Sequence, residues 1–238
     1  MKLTIATFNI QNKYKINKYD GLDNYGDHVI ELKKFIYDNN IDILGVQELT
    51  RRFKNRLIKF LGNYNILGNM RFTRFLNIFP AIDRFNEYNS IITKKQVINK
   101  KTKYIPFFPS IPRIVTIVDC LINDEVIRVI NTHLSHNNSK VRKRQLNKIL
   151  KLMISNTKTI LMGDFNTTVA DIDFNCFMKK LDELGYKRVD VNKATHRINK
   201  SPIDHIFVHK SMKTKSVKVC DLKEKISDHK PIIVELML

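Results

Sequence analysis

Tryptophan is absent from the 238 residues, and glycine (7), proline (6) and cysteine (3) are sparse. So little glycine and proline excludes collagen-like or low-complexity chains. Three widely spaced cysteines, Cys120, Cys176 and Cys220, exclude a disulfide framework and suit reduced thiols. No run approaches the ~18 apolar residues of a membrane span. The opening "MKLTIATFNI" has neither a long apolar run nor a small-residue cleavage site, so no secretory leader is expected. A cytoplasmic setting is the expectation. Acidic residues are also short: 23 stand against 42 Lys and Arg, a net charge of +19. Such a field attracts nucleic acid or an anionic membrane surface, and nothing points to an obligate protein partner. No Cys/His cluster has zinc spacing, no Gly-rich loop carries the phosphate-binding Gly-Lys-Ser/Thr ending, and no Gly-x-Ser-x-Gly elbow is present.

What is present is a 43% hydrophobic chain with recurrent strand patterns. Leu3–Ile10, Asp42–Val46, Ser90–Thr93, Ile114–Leu121, Val126–Thr132, Thr159–Met162, Ile203–Val208, Ser216–Val219 and Pro231–Leu236 alternate or are rich in Ile and Val. Two stretches have helical spacing. One follows Asp27 through Val29, Leu32, Phe35 and Ile36; the other begins at a Ser139 cap and repeats Leu146, Ile149, Leu150 and Met153. Helices interleaved with strands that also follow one another directly predict an α/β or α+β fold with mixed sheets. No linker or repeat divides the chain, so residues 1–238 are expected to form one domain. Phe72, Phe75, Leu76 and Phe79 predict a core-facing helix; the alternative, from the interleaved Arg71, Arg74 and Arg84, is a groove for phosphates and bases. The prolines of "YIPFFPSIP" (104–112) predict an irregular loop.

Polar residues recur at the strand ends. Asn9 follows "LTIATF", Gln47 and Glu48 follow "IDILGV", and Asn89 opens "NSIIT". His133 ends "VIRVINTH", Asp164 and Asn166 follow "TILMG", Asp204 precedes "HIFV", and Asp228 and His229 precede "KPIIVEL". A single residue of this kind reads as a turn or a satisfied core group. Seven repeats of the arrangement read as a site gathered at one sheet edge. Phosphodiester hydrolysis needs neutralised oxygens, an activated water and help for the leaving oxygen, and these side chains supply each. Few carboxylates with no soft ligand suit Mg²⁺ or Mn²⁺, with Glu48 and Asn9 as a ligand set.

"TFNI", "GVQEL", "EYNSI", "INTHL", "LMGDFN", "SPIDHIFV" and "ISDHKPI", in this order, resemble the motifs of the endonuclease/exonuclease/phosphatase superfamily. The resemblance spans residues 7 to 233. It implies a four-layered α/β/β/α sandwich of two mixed β-sheets and a divalent-metal-dependent phosphoester hydrolase. It also implies roles. Glu48 resembles the metal-binding Glu, with Asn9 beside it and Asp228 nearby. His229 resembles the catalytic His and Asp204 the acid that orients it. Asp164 resembles the acid that positions water or protonates the leaving oxygen. Asn166 and His133 would hold phosphate oxygens, joined by Arg113 and Asn89. Abasic-site members usually carry Tyr where this chain has His133, and Gln11 stands where an acid or amide is common, so that branch is disfavoured. Nucleic acid is the expected substrate. A sphingomyelin- or inositol-phosphate-type substrate at a membrane, with Phe107, Phe108 and Ile111 dipping into it, is the alternative. A non-catalytic polyanion binder is the third.

Overall fold

The computed structural model describes residues 1–12, 25–72, 86–154, 157–222 and 226–238. Its strands are β1 (Lys2–Asn9), β2 (Ile43–Leu49), β3 (Asn65–Met70), β4 (Tyr88–Thr93), β5 (Gln96–Ile105), β6 (Arg113–Ile122), β7 (Glu125–His133), β8 (Thr159–Asp164), β9 (Tyr186–Arg188), β10 (Asp204–His209), β11 (Lys213–Val219) and β12 (Ile232–Met237). The helices are α1 (Tyr25–Asp38), α2 (Arg51–Phe60), α3 (Ser139–Met153) and α4 (Ile172–Glu183).

Two six-stranded sheets result, ordered β11-β12-β1-β2-β4-β3 and β5-β6-β7-β8-β10-β9. Each is mixed, as expected. β1 and β2 run parallel in the first, β7 and β8 in the second, and the other described pairings are antiparallel. Parallel neighbours need a long crossover, and α1 and α3 lie in the two crossovers. The period of two in each strand then sorts the core. On β1, Leu3 and Ile5 face the other sheet, where Val118, Val129, Ile160 and Met162 meet them. Ala6 and Phe8 face outward under Leu32, Phe35 and Ile36 of α1 and Phe53 and Leu57 of α2. Across the molecule, Leu161 and Phe207 lie under Leu146 and Ile149 of α3 and Phe174 and Phe177 of α4. Three apolar layers therefore separate four structural ones, the predicted sandwich. Each fully buried Leu, Ile or Phe contributes about 1.5–3 kcal/mol.

Two details differ from expectation. α3 is capped by Asn138, whose Oδ1 accepts from Val141 N at 3.0 Å, so Ser139 is already helical. α1 begins at Tyr25, which puts Asp27 inside its first turn, where its charge still suits the helix dipole. Phe72 sits in a bend after β3. The rest of the helix expected there, with Arg74 and Arg84, lies outside the described residues. Of the irregular loop expected over 104–112, residues 106–112 are irregular, while Tyr104 and Ile105 close β5. Among the described residues no helix is long and apolar enough to cross a membrane.

Candidate active site

β8 shows how the sequence builds the site. Ile160, Leu161 and Met162 are fully buried, and the strand ends at Gly163 and Asp164. Gly163 has φ +143, and a Cβ there would sit 2.0 Å from Thr132 O, so the parallel neighbour β7 tolerates only glycine. Asp164, 1% exposed, then turns into the space between the sheets. Its Oδ1 accepts from Asn166 N at 2.8 Å, and its Oδ2 accepts from Asn9 Nδ2 at 3.0 Å. The strand-end acid and amide are thus a turn and a site at once.

Glu48 is aimed by a similar device. β2 carries a register irregularity between Val46 and Leu49, and Glu48 has φ +59. A non-glycine residue rarely adopts that backbone, and such irregularities re-aim side chains beside functional sites. Glu48 Oε2 accepts from Asn12 N at 2.8 Å, and Oε1 lies 3.5 Å from Asn9 Nδ2. Asn9 therefore gives its amide hydrogens to both acids, while its oxygen accepts from Gln11 N at 3.0 Å.

His229 Nδ1 donates to Asp204 Oδ2 at 2.8 Å. Its Nε2 lies 3.8 Å from Asp164 Oδ2 and 4.0 Å from Asp228 Oδ1. Ser227 holds the turn: its Oγ donates to Asn9 O at 2.6 Å and accepts from His229 N at 3.0 Å. Burial pulls the His229 pKa down, but Asp204, Asp164 and Asp228 outweigh it and carry the imidazolium up to about 10. Burial pushes Asp164 up to about 7, against the pull of His229 and Asn9. Gln11 Nε2 donates to Asp228 Oδ2 at 3.0 Å, and His196 Nε2 lies 3.8 Å from the same oxygen.

The other side of the cleft is held by arginine. Arg113 Nη1 and His133 Nδ1 are 2.9 Å apart. Arginine can only donate, so His133 accepts at Nδ1 and carries its proton on Nε2. That Nε2 lies 3.5 Å from Asp164 Oδ2 and 4.0 Å from Glu48 Oε1. Burial, then Arg71, lowers the Arg113 pKa. Arg71 pairs with Glu87 at 2.6 Å with both side chains buried, and Asn12 Nδ2 donates to Glu87 at 2.9 Å. A pocket with about 220 Å³ of empty space lies among Glu48, Arg71, Glu87, Arg113 and His133.

Of the ten residues expected at the site, Asn9, Glu48, Arg113, His133, Asp164, Asp204, Asp228 and His229 are linked by polar contacts of 4.0 Å or less, while the Asn166 Nδ2 donates to Leu134 O at 3.0 Å. Asn89 lines the pocket too, but its Nδ2 donates to Ile114 O and Asn131 O at 2.9 Å each. Asn131, fully buried, donates to Asn89, Val46 O and Ser90 O and accepts from Gln47 Nε2 at 2.6 Å. This polar bridge ties the sheets together behind the acids. Sequence reading missed Asn12, Glu87, Asn131 and His196 beside the cleft, and offered Arg71 only as part of a groove for phosphates and bases. Asn131 had a signal, as a carboxamide inside "VIRVIN"; Glu87 had one two residues before Asn89.

The fold, and the meeting of strand-end acids with an Asp–His pair at one edge of two mixed sheets, define the class. The chain belongs to the Endonuclease/Exonuclease/phosphatase family, whose sequence model matches residues 6–229. No curated protein matches the sequence. Among solved structures, a family member from Bacteroides thetaiotaomicron superposes with a TM-score of 0.82 at 21% identity, covering 99% of this chain and 97% of that one. A mannosyl-6-phosphatase from the same organism gives 0.81 at 22%, covering 99% and 100%. D. rerio TDP2 complexed with single strand DNA product gives 0.72 at 17%, covering 100% and 99%. At these identities the likeness is one of fold.

Proposed function

We propose that residues 1–238 act as one unit that hydrolyses phosphodiesters of nucleic acid with a hard divalent cation, Mg²⁺ or Mn²⁺. The observation that carries this reading is the Asp204–His229 pair facing Asp164 across the junction of the two sheets. Asp204 fixes the tautomer of His229 and stabilises its charged form, so His229 Nε2–H faces the reacting phosphate as a cationic donor. Asp164, with its raised pKa, can take the proton of the attacking water or give one to the leaving oxygen. Asn166, His133 and Arg113 hold phosphate oxygens. Asn89 was expected to join them; its amide is committed to the bridge, and in our reading it braces the sheets.

The donor set fits a cation. Glu48 and Glu87 offer carboxylate oxygens in one cluster with His133, whose ring accepts from Arg113 at Nδ1, carries its proton on Nε2 and so stands beside the cation. Glu48 would be the main ligand, with Asn9 and Asp228 flanking it. When bound, the ion supplies charge neutralisation at the phosphate oxygens.

Substrate choice rests on the +19 charge. The solved relatives include one named as a phosphatase of a sugar phosphate and one complexed with single strand DNA product. A second reading, hydrolysis at an anionic membrane, has its own observation: Phe108 and Ile111, in the loop before Arg113, are 77% and 44% exposed. One panel decides. Supercoiled DNA, single strands, sphingomyelin or phosphoinositide vesicles and a model phosphodiester are each incubated with Mg²⁺ or EDTA. Mg²⁺-dependent cleavage of nucleic acid that is lost in His229→Ala is the expected result. Turnover confined to vesicles would replace this reading with the membrane one, and binding without turnover of any substrate would make the chain a polyanion binder.

A further inference from the structure

Beside the catalytic pocket, and sharing Tyr88 and Ile114 with it, runs a second and larger concavity with about 1010 Å³ of empty space. It lies where the edge strands β3 and β5 approach each other. Met70 and Phe72 line it from the β3 side, and Thr102 and Tyr104 from β5. Its size decides what it can hold: about 520 Å³ of it is reachable by water, room for planar rings, against about 10 Å³ in the catalytic pocket.

Its chemistry is the reverse of that of the catalytic pocket. No carboxylate lines it. Lys54 projects into it from α2, with Nζ 4.3 Å from the Tyr88 ring centroid. Burial, then the positive charge of Lys100, lowers the Lys54 pKa. Lys100 precedes Thr102 by two residues and Thr102 precedes Tyr104 by two, so all three share one face of β5. Among the described residues no carboxylate pairs with Lys54, Lys100, Lys101 or Lys103, whereas Lys2 on β1, Arg128 on β7 and Lys143 on α3 each have an acidic partner. Tyr104 is 47% exposed, a large aromatic face open to the groove.

Unpaired cations interleaved with aromatic faces, with no acid among them, suit a strand of phosphates and unpaired bases. A duplex keeps its bases stacked on each other and offers no face to Tyr104. The geometry points to this groove as the site that holds a single-stranded segment flanking the scissile phosphate, with a base on Tyr104 and phosphates on Lys54 and Lys100. This rests on the nucleic-acid reading above and adds strandedness and the residues that read it.

The test separates the two. Binding of a fluorescent single-stranded oligonucleotide and its matched duplex is measured by anisotropy in EDTA, where turnover is silenced. Hydrolysis of a small model phosphodiester with Mg²⁺ is measured in parallel. Wild type should prefer the single strand. Tyr104→Ala should weaken single-strand binding by about tenfold, Tyr104→Phe should restore it, and Lys100→Glu should weaken it by a similar factor. Both weakened variants should keep wild-type turnover of the small diester, which also shows that they fold. Single-strand affinity within about twofold of wild type in both variants would remove the groove and leave the nucleic-acid reading standing. So would a wild-type preference for duplex, or loss of small-diester turnover in Tyr104→Ala. A wild-type chain that binds neither oligonucleotide, or that binds anionic vesicles in preference, would defeat the nucleic-acid reading itself.

Discussion

The dyad end of the cleft and the groove beside it are built from the same two sheets and share almost no chemistry. At the dyad end, Asp164, Asp204 and His229 are each at most 5% exposed, and the Asn9–Asp164 and His229–Asp204 contacts run from one sheet to the other. In the groove, Tyr104 and the lysines of β5 stand half in water, with no acid among the lining residues. The first arrangement gains from exclusion of water, because charges act strongly where the dielectric is low. The second gains from openness, because stacking and phosphate attraction need a surface that a flexible strand can reach. In the proposed function, one edge of the sandwich thus separates the reaction from the choice of substrate.

Breaking the closed end should have the largest effect. His229→Ala and Asp204→Asn should each lower turnover by about 10³-fold or more, and the double variant should be little worse than the poorer single one. Losses that multiply in the kinetic cycle would show that the two side chains do not act as a unit.

The closed end also rests on a histidine that never reaches the cleft. His205 follows Asp204 and is packed among Phe165, Phe174 and Phe207, with its Nε2 donating to Thr167 O at 2.9 Å. Burial lowers its pKa from 6.5 to about 4. Above pH 6.5 the ring is neutral in both the folded and the unfolded chain, so it adds no pH dependence. As pH falls from 6.5 towards 4 the unfolded chain takes up a proton that the folded one refuses, and stability drops by up to about 3 kcal/mol. Denaturation midpoints of wild type and His205→Gln should therefore converge as pH is lowered through this window. Parallel curves from pH 7 to pH 4 would show that the ring is not held neutral.

Glu48→Gln tests the cation. The Mg²⁺ concentration for half-maximal activity should rise by more than about tenfold, the loss that even outer-shell changes produce. An unchanged requirement would take Glu48 out of the ligand set.

The same division explains what was legible in the sequence. The central strands β1, β2, β6, β7 and β8 are apolar on both faces, and their pattern is unmistakable. β3 ("NILGNM"), β5 ("QVINKKTKYI") and β9 ("YKR") were missed. They are edge strands, half solvated and rich in Lys, Asn or Gly, which protects an edge and erases the alternation. α2 buries only Phe53 and Leu57 and leaves little helical period to read. The candidate site residues were legible because each flanks an apolar strand, Asn9, Glu48, His133 and Asp164 at its end and Asp204, Asp228 and His229 at or before its start. Arg71 and Glu87 were not, because a buried ion pair 16 residues apart has no local signature. The groove was least legible of all, since β3 and β5, which form it, were themselves unread.

The smallest effect concerns salt, and it separates a local groove from a general basic field. Nucleic-acid affinity should fall as a power of salt concentration, with a slope of about −0.7 per phosphate neutralised on a single strand. If attraction is spread over the whole +19 surface, removing any one exposed lysine changes the slope by the same small amount. If phosphates sit in the groove, position matters. Lys100→Ala should flatten the slope by about 0.7, one lost phosphate contact. Lys151→Ala should leave it unchanged, because Lys151 is an exposed residue in the last turn of α3, on the outer helical layer and not among the residues that line the groove. Salt titrations of the two variants beside wild type, in EDTA, read the difference directly. Equal slopes in both variants would mean that the charge attracts without a track, and the contrast between a closed reaction end and an open reading end would lose its electrostatic half.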